Sequence, residues 1–119
     1  MPTLTVQTNV KAEKIPGNLV KDLVDVVSNV LGKPKSYVVV LVQPDQLMSW
    51  GGSDDPCAIV NLGSIGQISR DKNIKTTQAI SSRLEQALGI KDDRMYIMFS
   101  DLQAANVGFT NTTFATILG

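Results

Sequence analysis

From Thr3 to Val10 the chain alternates, with Leu4, Val6 and Thr8 on one side and Thr5, Gln7 and Asn9 on the other. A period of two predicts a strand with one wetter face. Pro16-Gly17 marks a turn, and Asn18 stands where a helix N-cap is expected. Leu19, Val20, Leu23, Val24, Val26, Val27, Val30 and Leu31 then gather on one broad side of a helix. Valine is a poor helix former, so burial must decide the matter. Gly32 followed by Pro34 ends that helix in the usual order. Tyr37 to Val42 is a continuous β-branched run, which predicts a strand covered on both faces.

The order then repeats. Asp45 to Pro56 is a loop rich in Gly, Ser and Asp, Cys57 to Leu62 a second short strand, and Asn73 to Leu88 a second helix. Ile74, Thr77, Ile80, Leu84, Ala87 and Leu88 are its inward positions, and Gly89 ends it. Met95 to Phe99 is another buried strand. Strand–helix–strand therefore occurs twice, at a spacing of roughly 55 residues. The fold class is α/β (α+β): two βαβ repeats forming one four-stranded mixed sheet, with both helices on the same face. The expected organisation is one domain over 1–119, with halves at about 2–55 and 56–105 and a tail at 106–119.

This arrangement leaves a face bare. Two helices cover one side of the sheet, yet Tyr37 to Val42 shows no polar alternation, so the other side is apolar as well. A further copy of the chain is the expected cover, as in a ring of subunits with their sheets turned inward. The tail carries Val107, Phe109, Phe114, Ile117 and Leu118 with little helical pattern, and small strands tying subunits together are expected there.

Composition narrows the chemistry. Lys+Arg and Asp+Glu are 11 each, so no basic surplus points to nucleic acid or an anionic membrane. No stretch approaches bilayer length, no membrane insertion is expected, and the first fifteen residues hold no apolar run of signal-peptide length. A cytoplasmic protein is the expectation. There is no histidine, which removes the Ser-His-Asp and Cys-His machines and the common zinc sites. The one cysteine, Cys57, forms no internal disulfide. No metal and no cofactor are expected. An acid or base in this chain must be a carboxylate, a lysine, a tyrosine, the lone thiol or the terminal amine.

That elimination draws attention to Pro2. Once Met1 is removed, a proline offers a secondary amine on a rigid ring, able to act as general base or nucleophile. An ordinary terminal amine has a pKa of about 8, so roughly a tenth is neutral at pH 7; lowered to near 6, roughly nine-tenths would be. An apolar wall and a nearby cation both lower it. Lys33, at a helix end leading into the Tyr37 strand, is a candidate cation that would also hold an anionic substrate group. Each residue also has a plain structural reading. Proline suits the first residue of a strand, a lysine near a helix C-terminus is favoured by the dipole, and Ser64-Ile65-Gly66 reads as a strand end and turn.

These residues do not stand alone. "MP" at the start is followed in order by "TNV" at 8–10, "GKP" at 32–34, "YV" at 37–38 and "PDQLM" at 44–48. "GGSDDPCA" at 51–58, "SIG" at 64–66, "R-x-Y-I" at 94–97, "AANVGF" at 104–109 and "TTF" at 112–114 complete the set. Each piece is weak, but the ordered set is specific and spans nearly the whole chain. It resembles the macrophage migration inhibitory factor family of the tautomerase superfamily.

The resemblance implies a homotrimer whose sheets line a central barrel, with active sites at subunit interfaces. It implies that Pro2 is the catalytic base and that small aromatic α-keto acids such as phenylpyruvate, or D-dopachrome, are the substrates. Lys33 and the Ile65 N–H, with Ser64 beside it, match the positions that hold substrate oxygens. Tyr96 matches a tyrosine supplied by the neighbouring subunit, and Tyr37, Val107, Phe109 and Phe114 match an apolar wall. Cytokine-like activity through a cell-surface receptor, and export without a signal peptide, are implied as well.

The departures matter. Met98 stands where the family often has asparagine, which removes one substrate hydrogen bond. Ser100 and Phe109 replace aromatic residues, and Gly63 stands where the vertebrate cytokine has histidine. Cys57-Ala58-Ile59-Val60 lacks the second thiol of the vertebrate Cys-x-x-Cys motif, so thiol–disulfide exchange is not expected. Asp45 of the receptor-mimicking pair is present, but Ala12 replaces its arginine; Lys11 and Lys14 are nearby cations. Two functions follow: a tautomerase, and a receptor ligand with a weak or vestigial pocket.

Overall fold

The computed structural model describes residues 1–118. Its four-stranded sheet contains β1 (Pro2–Thr8), β2 (Val39–Gln43), β3 (Ala58–Ser64) and β4 (Met95–Asp101). The strand order is β2-β1-β3-β4. β1 runs parallel to β2, and β3 parallel to β4, while the central pair β1–β3 is antiparallel. Each parallel pair is bridged by a helix, α1 (Leu19–Leu31) or α2 (Arg70–Leu88). This is the doubled βαβ arrangement that the pattern predicts.

One face of the sheet builds the core. Leu4 and Val6 of β1 and Ala58, Val60 and Leu62 of β3 are buried with Leu19, Leu23, Val27 and Leu31 of α1 and Ile80 and Leu84 of α2. Burial on β1 alternates strictly, as its sequence does. The two helices are tied by an ion pair between Arg83 and Asp22.

Several local expectations need correction. Tyr37 is not in a strand: Lys35–Tyr37 forms a 3-10 turn, and β2 begins at Val39. Pro34, at φ −60°, starts that turn, and the Tyr37 and Val38 amides close it onto the Pro34 and Lys35 carbonyls. Nor is the run covered on both faces within the protomer, since Val39 is 62% exposed. α2 begins three residues before Asn73, because Ser69 caps it: its hydroxyl accepts from the Lys72 N–H, and Asn73 Oδ1 accepts from the Ser69 N–H. That frame buries Thr76 and leaves Ile74 49% exposed. Asn18 holds the N-cap position of α1 without a side-chain bond.

The tail folds back as β5 (Gly108–Phe109) paired with β6 (Thr112–Thr113), then one helical turn, α3 (Phe114–Ile117). The small strands form, paired with each other within the protomer, and the helical turn was not expected. The uncovered sheet face presents Val39, Leu41, Ile59, Tyr96 and Met98, interleaved with Thr5, Gln7 and Asn61. It is less uniformly apolar than the sequence run implies.

Candidate functional site

The start of β1, the end of α1 and the end of β3 converge. Pro2 is buried and pairs in register with Ser64 across the β1–β3 ladder. Lys33 arrives by way of Gly32, whose left-handed backbone (φ 64°) terminates α1. Ser28 grips the next residue twice: its carbonyl accepts the Lys33 N–H at 3.1 Å, and its hydroxyl donates to the Lys33 carbonyl at 2.5 Å. So aimed, Lys33 Nζ donates to the Ile65 carbonyl at 3.0 Å. The end of β3 is itself pinned, since the Leu102 N–H donates to the Ser64 carbonyl and the Gly66 N–H to Asp101 Oδ1.

An aromatic wall stands beside this end. Phe109 and Phe114 stack at 5.3 Å between centroids, and Tyr37 meets both edge-on, at 5.8 and 5.9 Å. With Met1, Thr3, Ser36, Val39, Val107 and Gly108 they enclose a cavity of about 160 Å³. The terminal amine of the unprocessed chain, on Met1, titrates below the ordinary value. Partial burial is the larger cause and the positive charge of Lys33 the second. These are the two influences that the chemistry of an amine base requires.

The Ser64 hydroxyl is buried and has no hydrogen-bond partner among the described residues. Ile65 offers Lys33 its carbonyl, whereas the sequence reading singled out its N–H. Tyr96 and Met98 are not in this cavity. They lie on the uncovered face of β4, an edge strand separated from β1 by β3. Trp50 packs on Tyr96 with ring centroids 4.5 Å apart, a contact that no periodicity signals because Trp50 lies in the long loop. Among the described residues, no cluster of His, Cys, Asp and Glu has the makings of a metal site, and no helix is long and apolar enough to cross a membrane.

The family model for macrophage migration inhibitory factor matches residues 1–115. The chain belongs to the macrophage migration inhibitory factor family. Macrophage migration inhibitory factor from Xenopus tropicalis is 42% identical over 115 residues, covering 97% of this chain and 100% of that protein. The Trichinella spiralis homologue is 40% identical over 114 residues, covering 96% and 100%. Among solved structures, the Trichinella spiralis factor superposes with a TM-score of 0.92 at 39% identity, covering 94% of this chain and 99% of that one. A homologue from Prochlorococcus marinus gives 0.87 at 30%, covering 94% and 98%. The mixed sheet with its two helices is thus the macrophage migration inhibitory factor fold. The family is one of tautomerase-superfamily isomerases with cytokine-like members.

Proposed function

We propose that this protein is a keto–enol tautomerase of small aromatic α-keto acids, of the phenylpyruvate and dopachrome type, with Pro2 as its base once Met1 is removed. The observation that carries the reading is the terminal amine itself. It is pushed toward its neutral form by burial and Lys33, at the same end of β1 as an aromatic-walled cavity. Removal of Met1 makes the Pro2 nitrogen, one residue further along at the start of β1, the terminal amine beside Lys33 and the cavity.

In this mechanism neutral Pro2 takes the proton from the carbon beside the substrate carbonyl. Negative charge moves to the carbonyl oxygen, where Lys33 and the N–H of Ile65 stabilise it, and the proton carried by Pro2 is delivered to that oxygen to give the enol. Tyr37, Val107, Phe109 and Phe114 take the aromatic ring and keep the amine dry. The working form is a homotrimer that covers the open sheet face and brings Tyr96 and Met98 of one subunit to the site of the next. Met98 offers no hydrogen bond where an amide would, which weakens binding of a substrate hydroxyl.

The test is an enol–keto assay with 4-hydroxyphenylpyruvate, comparing protein with a verified free Pro2 against Pro2→Gly. Loss of most of the rate in the variant is expected, and an equal rate in both overturns the proline mechanism. Any residue retained ahead of Pro2 abolishes activity too, because an amide nitrogen is not a base.

A second reading, a ligand of a cell-surface receptor, is supported by one exposed patch. Lys11 stands 4.0 Å from Asp45, and the Ala12 N–H donates to the same carboxylate at 3.4 Å. Lys11 thereby places a cation next to Ala12. Binding to a cell-surface receptor that survives Pro2→Gly and is lost with Asp45→Ala supports this function.

A further inference from the structure

Trp50 opens a tight turn. Its N–H and carbonyl bond reciprocally with Ser53 at 3.0 and 3.1 Å, and Gly51 and Gly52 between them both have positive φ, 60° and 87°. That is the backbone of a type I′ turn, which glycine adopts without strain. The turn belongs to an otherwise irregular loop between β2 and β3, yet it is firmly held. The guanidinium of Arg94 donates to the Pro56 carbonyl at 3.0 Å, Asp55 at 2.9 Å, Ser53 at 3.4 Å and Trp50 at 3.5 Å. From the other side, Asn9 accepts the Cys57 N–H and donates to the Asp54 and Asp55 carbonyls.

Arg94 lies two residues before Tyr96 in the chain. The start of β4 is therefore joined to this loop twice, by the guanidinium fork and by the Trp50–Tyr96 ring contact at 4.5 Å with planes tilted 38°. Tyr96 is 66% exposed on the open sheet face, and among the described residues Trp50 is the one aromatic ring against it.

We propose that Trp50 is a positioning residue for Tyr96, and that together they set the affinity for aromatic α-keto acids. This rests on the tautomerase reading, in which Tyr96 reaches the neighbouring subunit's site. A tyrosine left free on a sheet face must surrender rotamer freedom each time it meets a substrate. A tyrosine already packed against a tethered indole has surrendered it in advance. The ordering cost then falls on folding rather than on binding. Trp50 itself touches no reacting atom, so its effect belongs in KM, not in kcat.

The experiment compares Trp50→Leu and Trp50→Phe with the unaltered protein as assembled, using 4-hydroxyphenylpyruvate. Trp50→Leu keeps apolar bulk but no ring face. It is expected to raise KM roughly two- to tenfold, the size of one side chain's ordering cost, with kcat nearly unchanged. Trp50→Phe restores a ring and most of the KM. An unchanged KM in Trp50→Leu overturns the inference, and so does a fall in kcat alone or an equal defect in both variants. Pro2→Gly, assayed alongside, separates the two claims. If it abolishes the rate while Trp50→Leu leaves KM unchanged, the tautomerase reading stands and the positioning role does not.

Discussion

Lys33 Nζ, at the end of α1, is bound to the Ile65 carbonyl at the end of β3, 32 residues away in sequence and 3.0 Å away in space. The partner is a carbonyl rather than a carboxylate, so the bond aims the ammonium without neutralising it. None of the ion pairs among the described residues includes Lys33. Its full positive charge therefore acts on the terminal amine, where it adds to the larger effect of burial.

A pH dependence follows. On the proposed mechanism the free Pro2 amine works only when neutral, so kcat/KM rises with pH through its pKa, which burial and Lys33, the causes that lower the Met1 amine beside it, are expected to hold below the ordinary value of about 8. Lys33→Gln removes the Coulombic part and leaves the burial, so the acid limb of the profile moves to higher pH. The same variant raises KM for an anionic substrate. A pH–rate profile of both proteins checks this, and a limb that stays in place excludes Lys33 as a cause.

The stacked phenylalanines divide their duties. Phe114 is 3% exposed, and Phe114→Ala is expected to cost about 3–5 kcal/mol, the usual loss for a buried aromatic. Phe109 is exposed on one side, so Phe109→Ala raises KM while moving the urea midpoint far less. Urea unfolding paired with steady-state kinetics separates the two.

Ser64 carries a buried hydroxyl without a partner among the described residues. An unsatisfied buried polar group is a cost, so Ser64→Ala leaves stability unchanged or raises it by about 1 kcal/mol. A lowered thermal midpoint in Ser64→Ala contradicts this account.

Gly32 tests the aiming of Lys33. Nothing crowds a Cβ at this position, so the cost of Gly32→Ala is conformational alone, roughly 1 kcal/mol for a left-handed alanine. Its expected signature is a modest drop in stability with a disproportionate rise in KM, because the turn that delivers Lys33 is disturbed. Equal KM values for the two proteins contradict that role.

Much of this was legible in the chain. The alternation of Leu4, Val6 and Thr8 and the broad apolar side from Leu19 to Leu31 are periods that the backbone must obey; the helix forms over Leu19–Leu31, and the strand forms as Pro2–Thr8, ending two residues short of Val10. Other features turned on small local bonds that periodicity does not encode. Pro34 begins a 3-10 turn that removes Tyr37 from β2 and aims it at Phe109 and Phe114. Ser69 starts α2 early, and the resulting frame exposes Ile74 and buries Thr76.

The sequence by itself determined the doubled strand–helix–strand order, the absence of histidine chemistry and the small set of groups left to act as a base. Hydrophobic period and residue inventory are local properties, readable without coordinates. Only the tertiary structure decided that Pro2 faces Ser64, that Lys33 reaches Ile65, and that Trp50 lies on Tyr96. Each joins segments far apart in the chain, through a strand register, a helix terminus and a tethered turn. Such contacts depend on how whole elements pack, which no local pattern specifies.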